Sequence, residues 1–294
     1  MDALGPIYTW KTTYCGNPKW PDGVRMVIVL SCEYEVIRDV PRLGDGSRDL
    51  RGIGLHEFEA RVGIGRSLDI LERAGVSGTF FVNGSTVEMF PDSVRDIHRR
   101  GHEIAAHGHV AEDLWKLSED EERALIRNAR SSIADLTGAL PAGWLSPRAR
   151  QSEHTMQLLA EQEFFWNTDM FDSELPYVVE IGGRKLLEIP RSFSADDIMM
   201  PHENPRAMFH AWKDEFDFLY AEAERAPRLL VLTWHPYITG RPSRAKALQD
   251  VILHIQGHSG VWFARCTELA EYCRANWFPN FMPATLPPAR MPAS

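Results

Sequence analysis

The run from Val24 to Glu33 constrains this chain most, because it is almost continuously apolar and rich in branched side chains. A segment of that kind has no polar face to turn to water, so it predicts a strand buried on both sides, the environment of a parallel sheet. Parallel strands need crossover connections, and helix-like segments follow at the right intervals. After a Gly-, Asp- and Arg-rich loop reaching about Gly54, the spacing of Val62, Leu68, Ile70 and Leu71 predicts a helix over Phe58–Ala74, stopped by Gly75. Gly78–Val82 reads as a strand, Thr86–Gly101 as a helix and Glu103–Ala106 as a short strand. Ser118 followed by Glu121 is a capping box that opens a helix running to Leu136.

Further strands are predicted at Gly143–Leu145, Phe164–Thr168, Leu186–Ile189, Leu229–Thr233 and Val261–Ala264. Helices fall between them, around 153–162, 205–225, 243–257 and 266–276. This alternation over the whole length predicts an α/β domain with a parallel sheet, open or closed into a barrel. No internal repeat or linker divides the 294 residues, so one domain is expected over 24–278. Residues 1–23 form an aromatic, turn-rich arm, with Trp10 and Trp20 expected to pack on the domain. Residues 279–294 form a Pro-rich tail, expected to be mobile or draped on a partner.

Composition narrows the partners. The net charge is -9 and no run of five or more basic residues occurs, which argues against nucleic acid and anionic membranes. The first ten residues lack the features of a secretory signal, and no apolar stretch approaches the length needed to span a bilayer. Cys15, Cys32, Cys266 and Cys273 form no CxxC spacing, so free thiols and a cytoplasmic location are expected.

In parallel α/β folds, reactive side chains gather at the C-terminal ends of strands. The first strand ends in Ser31-Cys32-Glu33-Tyr34-Glu35, and residues 33 and 35 share one face if the strand continues. Two carboxylates that close are expected to raise one pKa, giving a base and an acid or ligand; the bland alternative is a pair of solvated loop acids. The strand at 103–106 runs into His107-Gly108-His109, and that at 229–233 into Trp234-His235-Pro236. Each histidine alone is more often structural; Glu, His and His at three strand ends together point to a site. Arg148 follows another predicted strand and reads equally well as a site or a surface residue. Asp196-Asp197 reads as a solvated turn, and Met199 and Met200 as adaptable packing.

These positions carry a resemblance to the polysaccharide deacetylase (NodB-homology) superfamily. Gly75–Asn83 resembles its G-V-x-A-T-F-F-V strand, and Gly101–Gly108 its G-H-E-I-x-x-H signature. The similarity continues through Trp144–Arg148, Leu187–Pro190 and Trp234–Pro236, covering roughly residues 20 to 275. Arg61–Arg66, Asp172–Tyr177, Lys213–Tyr220 and His235–Arg244 resemble intracellular members, among them cofactor-free allantoinases and cyclic imide hydrolases. The resemblance implies a distorted (β/α) barrel of about seven parallel strands, a small-molecule substrate and a homo-oligomer, often a tetramer.

The departures carry as much weight. The sugar deacetylases have two aspartates in the first motif, a base and a metal ligand, where this chain has Glu33 and Glu35. Their H-x-x-x-H motif supplies two metal ligands; here His107 stands at the first position and Ala111 at the second. A zinc site needs three protein ligands, so the inherited set of Glu35 and His107 is one short. His109 could complete it if the loop bends. The expectation is a site without a metal or other cofactor, with Zn2+ held by Glu35, His107 and His109 as the alternative.

The function expected is hydrolysis of a non-peptide C–N bond in a small cyclic amide, imide or ureide, whose nitrogen leaves more easily than a sugar amine. Glu33 or Glu35 would activate water, and His107 or His235 would protonate the leaving nitrogen. Arg148 would orient an acid or stabilise an oxyanion, a role worth about 3 kcal/mol. Tyr34, His109, Asp169 and Trp234 are the candidates for substrate contact, with loops 36–56, 110–116, 169–180 and 194–204 lining the pocket. The alternatives are a metal-dependent N-deacetylase of an amino sugar or glycan fragment, and a non-catalytic ligand-binding homologue.

Overall fold

A computed structural model describes residues 10–37, 42–200 and 204–281. The strands are β1 (Lys11–Thr13), β2 (Met26–Tyr34), β3 (Thr79–Val82), β4 (Glu103–Ala106), β5 (Gly143–Trp144), β6 (Trp166–Asn167), β7 (Tyr177–Ile181), β8 (Arg184–Glu188), β9 (Arg228–Trp234) and β10 (Val261–Ala264). All nine residues of β2 are buried, as its composition requires. It pairs in parallel with β9 along most of its length, with β10 along its first half and with β3 along its second. From β3 the parallel order continues through β4, β5, β6 and β8.

The edge beyond β8 differs from the sequence expectation. β7 and β8 form an antiparallel hairpin whose turn, Gly182-Gly183, has positive φ at both positions (57° and 74°), the conformation that favours glycine. β1, from the N-terminal arm, then pairs antiparallel with β7. Among the described residues eight strands are mutually parallel, where about seven were expected, and the sheet does not close by continuous pairing. Between β8 and β9 it is spanned by a single parallel bridge, Asp196 to Thr233, and by Val231 N–H donating to Ser192 Oγ at 3.1 Å.

Helices cover the outside: α1 (Leu50–Phe58), α2 (Ile64–Ala74), α3 (Gly84–Met89), α4 (Pro91–Arg99), α5 (Glu119–Thr137), α6 (Thr155–Glu161), α7 (Pro205–Glu222), α8 (Pro236–Thr239), α9 (Pro242–Gln256) and α10 (Cys266–Asn276). The loop expected up to Gly54 ends earlier, because Asp49 accepts from Gly52 N–H at 2.9 Å and caps α1. α1 runs into α2 through a π-helical turn, Glu59–Gly63, a distortion frequent at functional sites. The segment expected as one helix over 86–101 splits at Phe90, since Pro91 cannot donate to continue it. The Ser118–Glu121 capping box is formed as predicted.

Side chains alternate across the sheet. One apolar cluster, with Ile28, Leu30, Phe80, Trp144, Trp212 and Leu248, fills the space between strands and outer helices. A second, with Val27, Val29, Phe81, Phe165, Trp166 and Leu187, lies on the other face and is sealed by α10 and Trp277. The arm locks onto this end: Trp20 stacks on Trp277 at 4.5 Å, and its Nε1 donates to the Arg228 carbonyl at 3.1 Å. Phe281 packs against Phe165, while residues 282–294 of the expected tail lie outside the described residues. All four cysteines are free thiols. No described helix is long and apolar enough to cross a membrane.

Candidate active site

The alternation that builds the two clusters also sorts the site residues. On β2, residues 27 and 29 belong to the inner face, so Glu33 and Glu35 leave the strand end on that face. His107 follows Ala105 by two and His235 follows Val231 by four, so both project to the same side. Tyr34 and Trp234 have the opposite parity. They are fully buried under the helices, Tyr34 OH sharing a hydrogen bond with Ser93 Oγ at 2.7 Å and Trp234 Nε1 donating to Ser67 Oγ at 3.3 Å. Neither lines the mouth of the site, which corrects the sequence expectation of substrate contact.

The four remaining residues meet. His107 Nε2 lies 3.3 Å from Glu35 Oε2 and 3.7 Å from Glu33 Oε2, and His235 Nε2 lies 3.3 Å from Glu33 Oε2. His107 Nδ1 is 2.9 Å from the Leu145 carbonyl, which can only accept, so that nitrogen carries a proton. His235 Nδ1 is 2.7 Å from Asp197 Oδ1, and the His235 N–H donates to Asp197 Oδ2 at 2.9 Å. Asp197, expected to be a solvated turn residue, is fully buried and orients His235.

Glu33 is held by a residue that the sequence does not single out. Arg191, directly after the quoted Leu187–Pro190 motif, donates to Glu33 Oε1 at 2.5 Å and to Asp196 Oδ2 at 2.7 Å. Its Nε and Nη1 are buried without a hydrogen-bond partner. Arg148 takes no part in this cluster. Its side chain is 53% exposed, lies 3.5 Å from Asp113, and its backbone sits at φ 60° in the left-handed region. The guanidinium beside the carboxylates is therefore that of Arg191 rather than Arg148.

These contacts settle the charges in a way the paired-carboxylate argument did not foresee. Burial alone would raise the Glu33 pKa, but Arg191, His235 and His107 outweigh it and hold the carboxyl well below its usual range. Burial alone would lower the His235 pKa; Glu33 and Asp197 push it well above the usual imidazole value. His107 is raised in the same sense, burial being outweighed by Glu35 and then Glu33. A carboxyl that is raised well above its range is Glu59 of the π-helical turn, through burial and the charge of Glu35. Its Oε1 accepts from Glu35 N–H at 3.3 Å.

His235 offers a direct test. Its proton stabilises the fold fully below the imidazole's unfolded value of about 6.5, and that contribution is lost as pH rises through the raised folded value. Asp197→Asn removes one of the charges that hold the proton, so the His235 imidazole resonances should titrate at lower pH than in the parent protein. An unshifted or raised midpoint would remove Asp197 from this role.

Asp169 is buried, accepting from Ser146 N–H at 2.6 Å and Ser146 Oγ at 2.7 Å; burial raises its pKa. Its carboxylate is committed to the β5 loop and supports the site wall. His109 turns away from His107: its ring lies over Gly84, where any Cβ would collide with it, and Nε2 is 3.7 Å from Glu88. Of the expected lining loops, residues 177–180 are part of β7, and 38–41 and 201–203 lie outside the described residues.

The divalent metal that the resemblance raises finds too few donors here. Glu35 and His107 are adjacent, Ala111 offers nothing, and Glu33 is committed to Arg191 and His235. Among the described residues, the groups of three whose donors converge on one point are Asp196, Asp197 and His235, and Asp217, His254 and His258. Glu35, His107 and His109 do not form such a group. In the first of the two, Asp196 already pairs with Arg191, and Asp197 binds both His235 and Thr239. The residues at the strand ends thus do not fit the three-ligand zinc site of the alternative reading.

The family profile described as Polysaccharide deacetylase matches residues 63–164. A Peptidoglycan deacetylase from Helicobacter pylori is 27% identical over 263 residues, 78% of this chain and 88% of the relative. The crystal structure of a Mycobacterium smegmatis protein assigned to the polysaccharide deacetylases shares 30% identity at a TM-score of 0.81, covering 96% of this chain and 100% of that one. The crystal structure of PuuE allantoinase matches at a TM-score of 0.83 and 28% identity, covering 90% of this chain and 96% of that one.

Proposed function

Because the chain belongs to the polysaccharide deacetylase family, we propose that it is a hydrolase of the non-peptide C–N bond in a small cyclic amide, imide or ureide, acting without a metal or other cofactor. The observation that carries this reading is the donor set: at the strand ends two carboxylates face two proton-bearing imidazoles, and the metal position has two donors where zinc takes three. The likeness to an allantoinase structure supports the cyclic ureide class.

Roles follow from the contacts. Glu33, clamped by Arg191 and held below its usual pKa, is a poor base. Glu35 Oε2 is buried with no hydrogen-bond partner, and Glu35 is the base that takes a proton from water as its oxygen attacks the ring carbonyl. As the C–N bond breaks, His235 delivers its Nε2 proton to the departing nitrogen, and Asp197 holds the ring in place. The proton held by Glu35 then passes to His235, which restores both groups, and the carboxylic acid product loses its own proton to solvent. The unpartnered Nε and Nη1 of Arg191 are donors for the developing oxyanion, a contribution of about 3 kcal/mol in such sites.

The test is a substrate screen of cyclic imides, hydantoins, allantoin and acetylated amino-sugar oligomers, each with chelator and with added zinc. The reading expects turnover of a ring substrate that chelator leaves unchanged. Turnover confined to acetylated sugars and dependent on zinc would replace it with the N-deacetylase reading, which the Helicobacter pylori relative favours. Inertness towards every compound would favour a ligand-binding role. The free thiols support a cytoplasmic location, and the family supports a homo-oligomer, which light scattering of the purified protein tests.

A further inference from the structure

Outside the active site, the helical layer holds a second cluster of ligand-type side chains that the proposed reaction does not use. We propose that Asp217 on α7, with His254 and His258 at the end of α9, binds one divalent transition metal of the zinc type and so ties the two helices together.

One donor atom from each residue lies within 4.8 Å of the other two, and all three side chains are half-buried, partly desolvated yet open to solvent. The spacing His254-x-x-x-His258 puts both imidazoles on one side of the helix end, within the interval common in zinc sites. His258 Nδ1 is 2.9 Å from the His254 carbonyl, which can only accept. That bond fixes the tautomer and leaves Nε2 with a lone pair, the arrangement typical of a metal-ligating histidine. His254 Nε2 and Asp217 Oδ1 are 2.6 Å apart, so the one carboxylate and the first imidazole already converge on the same point. Lys213 binds the other Asp217 oxygen, so the ion would take the place of the proton between His254 Nε2 and Oδ1.

Aromatic side chains pack against both rings. Phe216 meets His254 edge-on at 5.7 Å and His258 at 5.0 Å, and Tyr220 meets His258 at 4.9 Å. Ligands about 2.05 Å from zinc sit about 3.3 Å from one another in a tetrahedron, so the His254–Asp217 pair must open from 2.6 Å while His258 adjusts to complete the set. His258 supplies that movement, because it lies beyond Gly257, which terminates α9. Two histidines and one carboxylate leave the fourth position for water, a donor set that suits zinc, cobalt or nickel over calcium or magnesium.

Cobalt(II) is the probe, added to the full-length protein and followed by its visible absorption. The expected result is the intense bands of a four- or five-coordinate ion, saturating at one equivalent per chain and displaced by zinc. His258→Ala and Asp217→Asn, checked for native circular dichroism, should each weaken binding at least about tenfold. A second readout is the thermal midpoint, which zinc should raise in the parent protein and leave unchanged in His258→Ala. Absence of the bands overturns the site, as does cobalt binding that survives both substitutions. Survival combined with loss in Asp196→Asn would move the ion to the Asp196, Asp197 and His235 group.

Discussion

Arg191→Met should lower the unfolding free energy by about 3–5 kcal/mol at neutral pH and abolish turnover, the largest effect of any single substitution in the site. Arg191 is buried, and both of its anionic partners, Glu33 and Asp196, are buried with it. Removing the guanidinium strands two carboxylates in a low-dielectric interior, and such charges either destabilise the fold or take up protons. The pH dependence gives the sign. The Glu33 pKa is depressed in the native protein, so its contribution is present above the unfolded carboxyl range and is lost as pH falls through the folded value. The deficit of the variant should therefore be greatest near neutrality and shrink in acid, when measured by urea unfolding across pH. The double variant Glu33→Gln/Arg191→Met should regain part of the loss. A single variant within about 1 kcal/mol of the parent would show that the pair does not secure the site.

Glu35→Gln should cut kcat by roughly 10²–10⁴ while leaving the fold intact, the range expected for loss of a general base. Glu35 touches His107 through Oε2, and the amide keeps the shape of the side chain without the capacity to accept a proton from water. Arg148→Ala is the control, since an exposed ion pair with Asp113 is worth at most about 1 kcal/mol. If Glu35→Gln keeps parental kcat on the ring substrate, the base lies elsewhere, and Glu33 becomes the residue to test. If Arg148→Ala falls as far as Glu35→Gln, the rim contributes chemistry that its exposure does not suggest.

Much of the fold was legible because β2 is apolar throughout and the later strands repeat its logic between capped helices. The strand-end filter also located Glu33, Glu35, His107 and His235 correctly in space, since side-chain parity follows from strand residue number alone. The failures share one cause: partners far apart in sequence. Arg191 and Glu33 are 158 residues apart, and no local pattern around Pro190 announces a buried ion pair. Asp196-Asp197 has the composition of a turn, and only the approach of β9 buries it against His235. Tyr34 and Trp234 stand next to reactive residues, which on a strand places them on the opposite face. The β7 hairpin has a readable signal in Tyr177-Val178-Val179 and Gly182-Gly183, although residues 169–180 are expected from sequence as a lining loop.

The unclosed seam between β8 and β9 carries a consequence for how the enzyme fails. Ser192, Asp196 and Asp197 take the place of a full strand pairing there, and the same short stretch holds both Arg191 and His235 in register. Elsewhere the wall is sewn by ladders of backbone bonds; at this point it is fastened by side chains alone and one bridge. Parting that fastening would disarm the catalyst while the hydrophobic body stays assembled. Activity is therefore expected to be lost at a lower temperature than far-ultraviolet circular dichroism when both are followed on one heating ramp, and coincident loss would show that the seam is no weaker than the rest of the sheet.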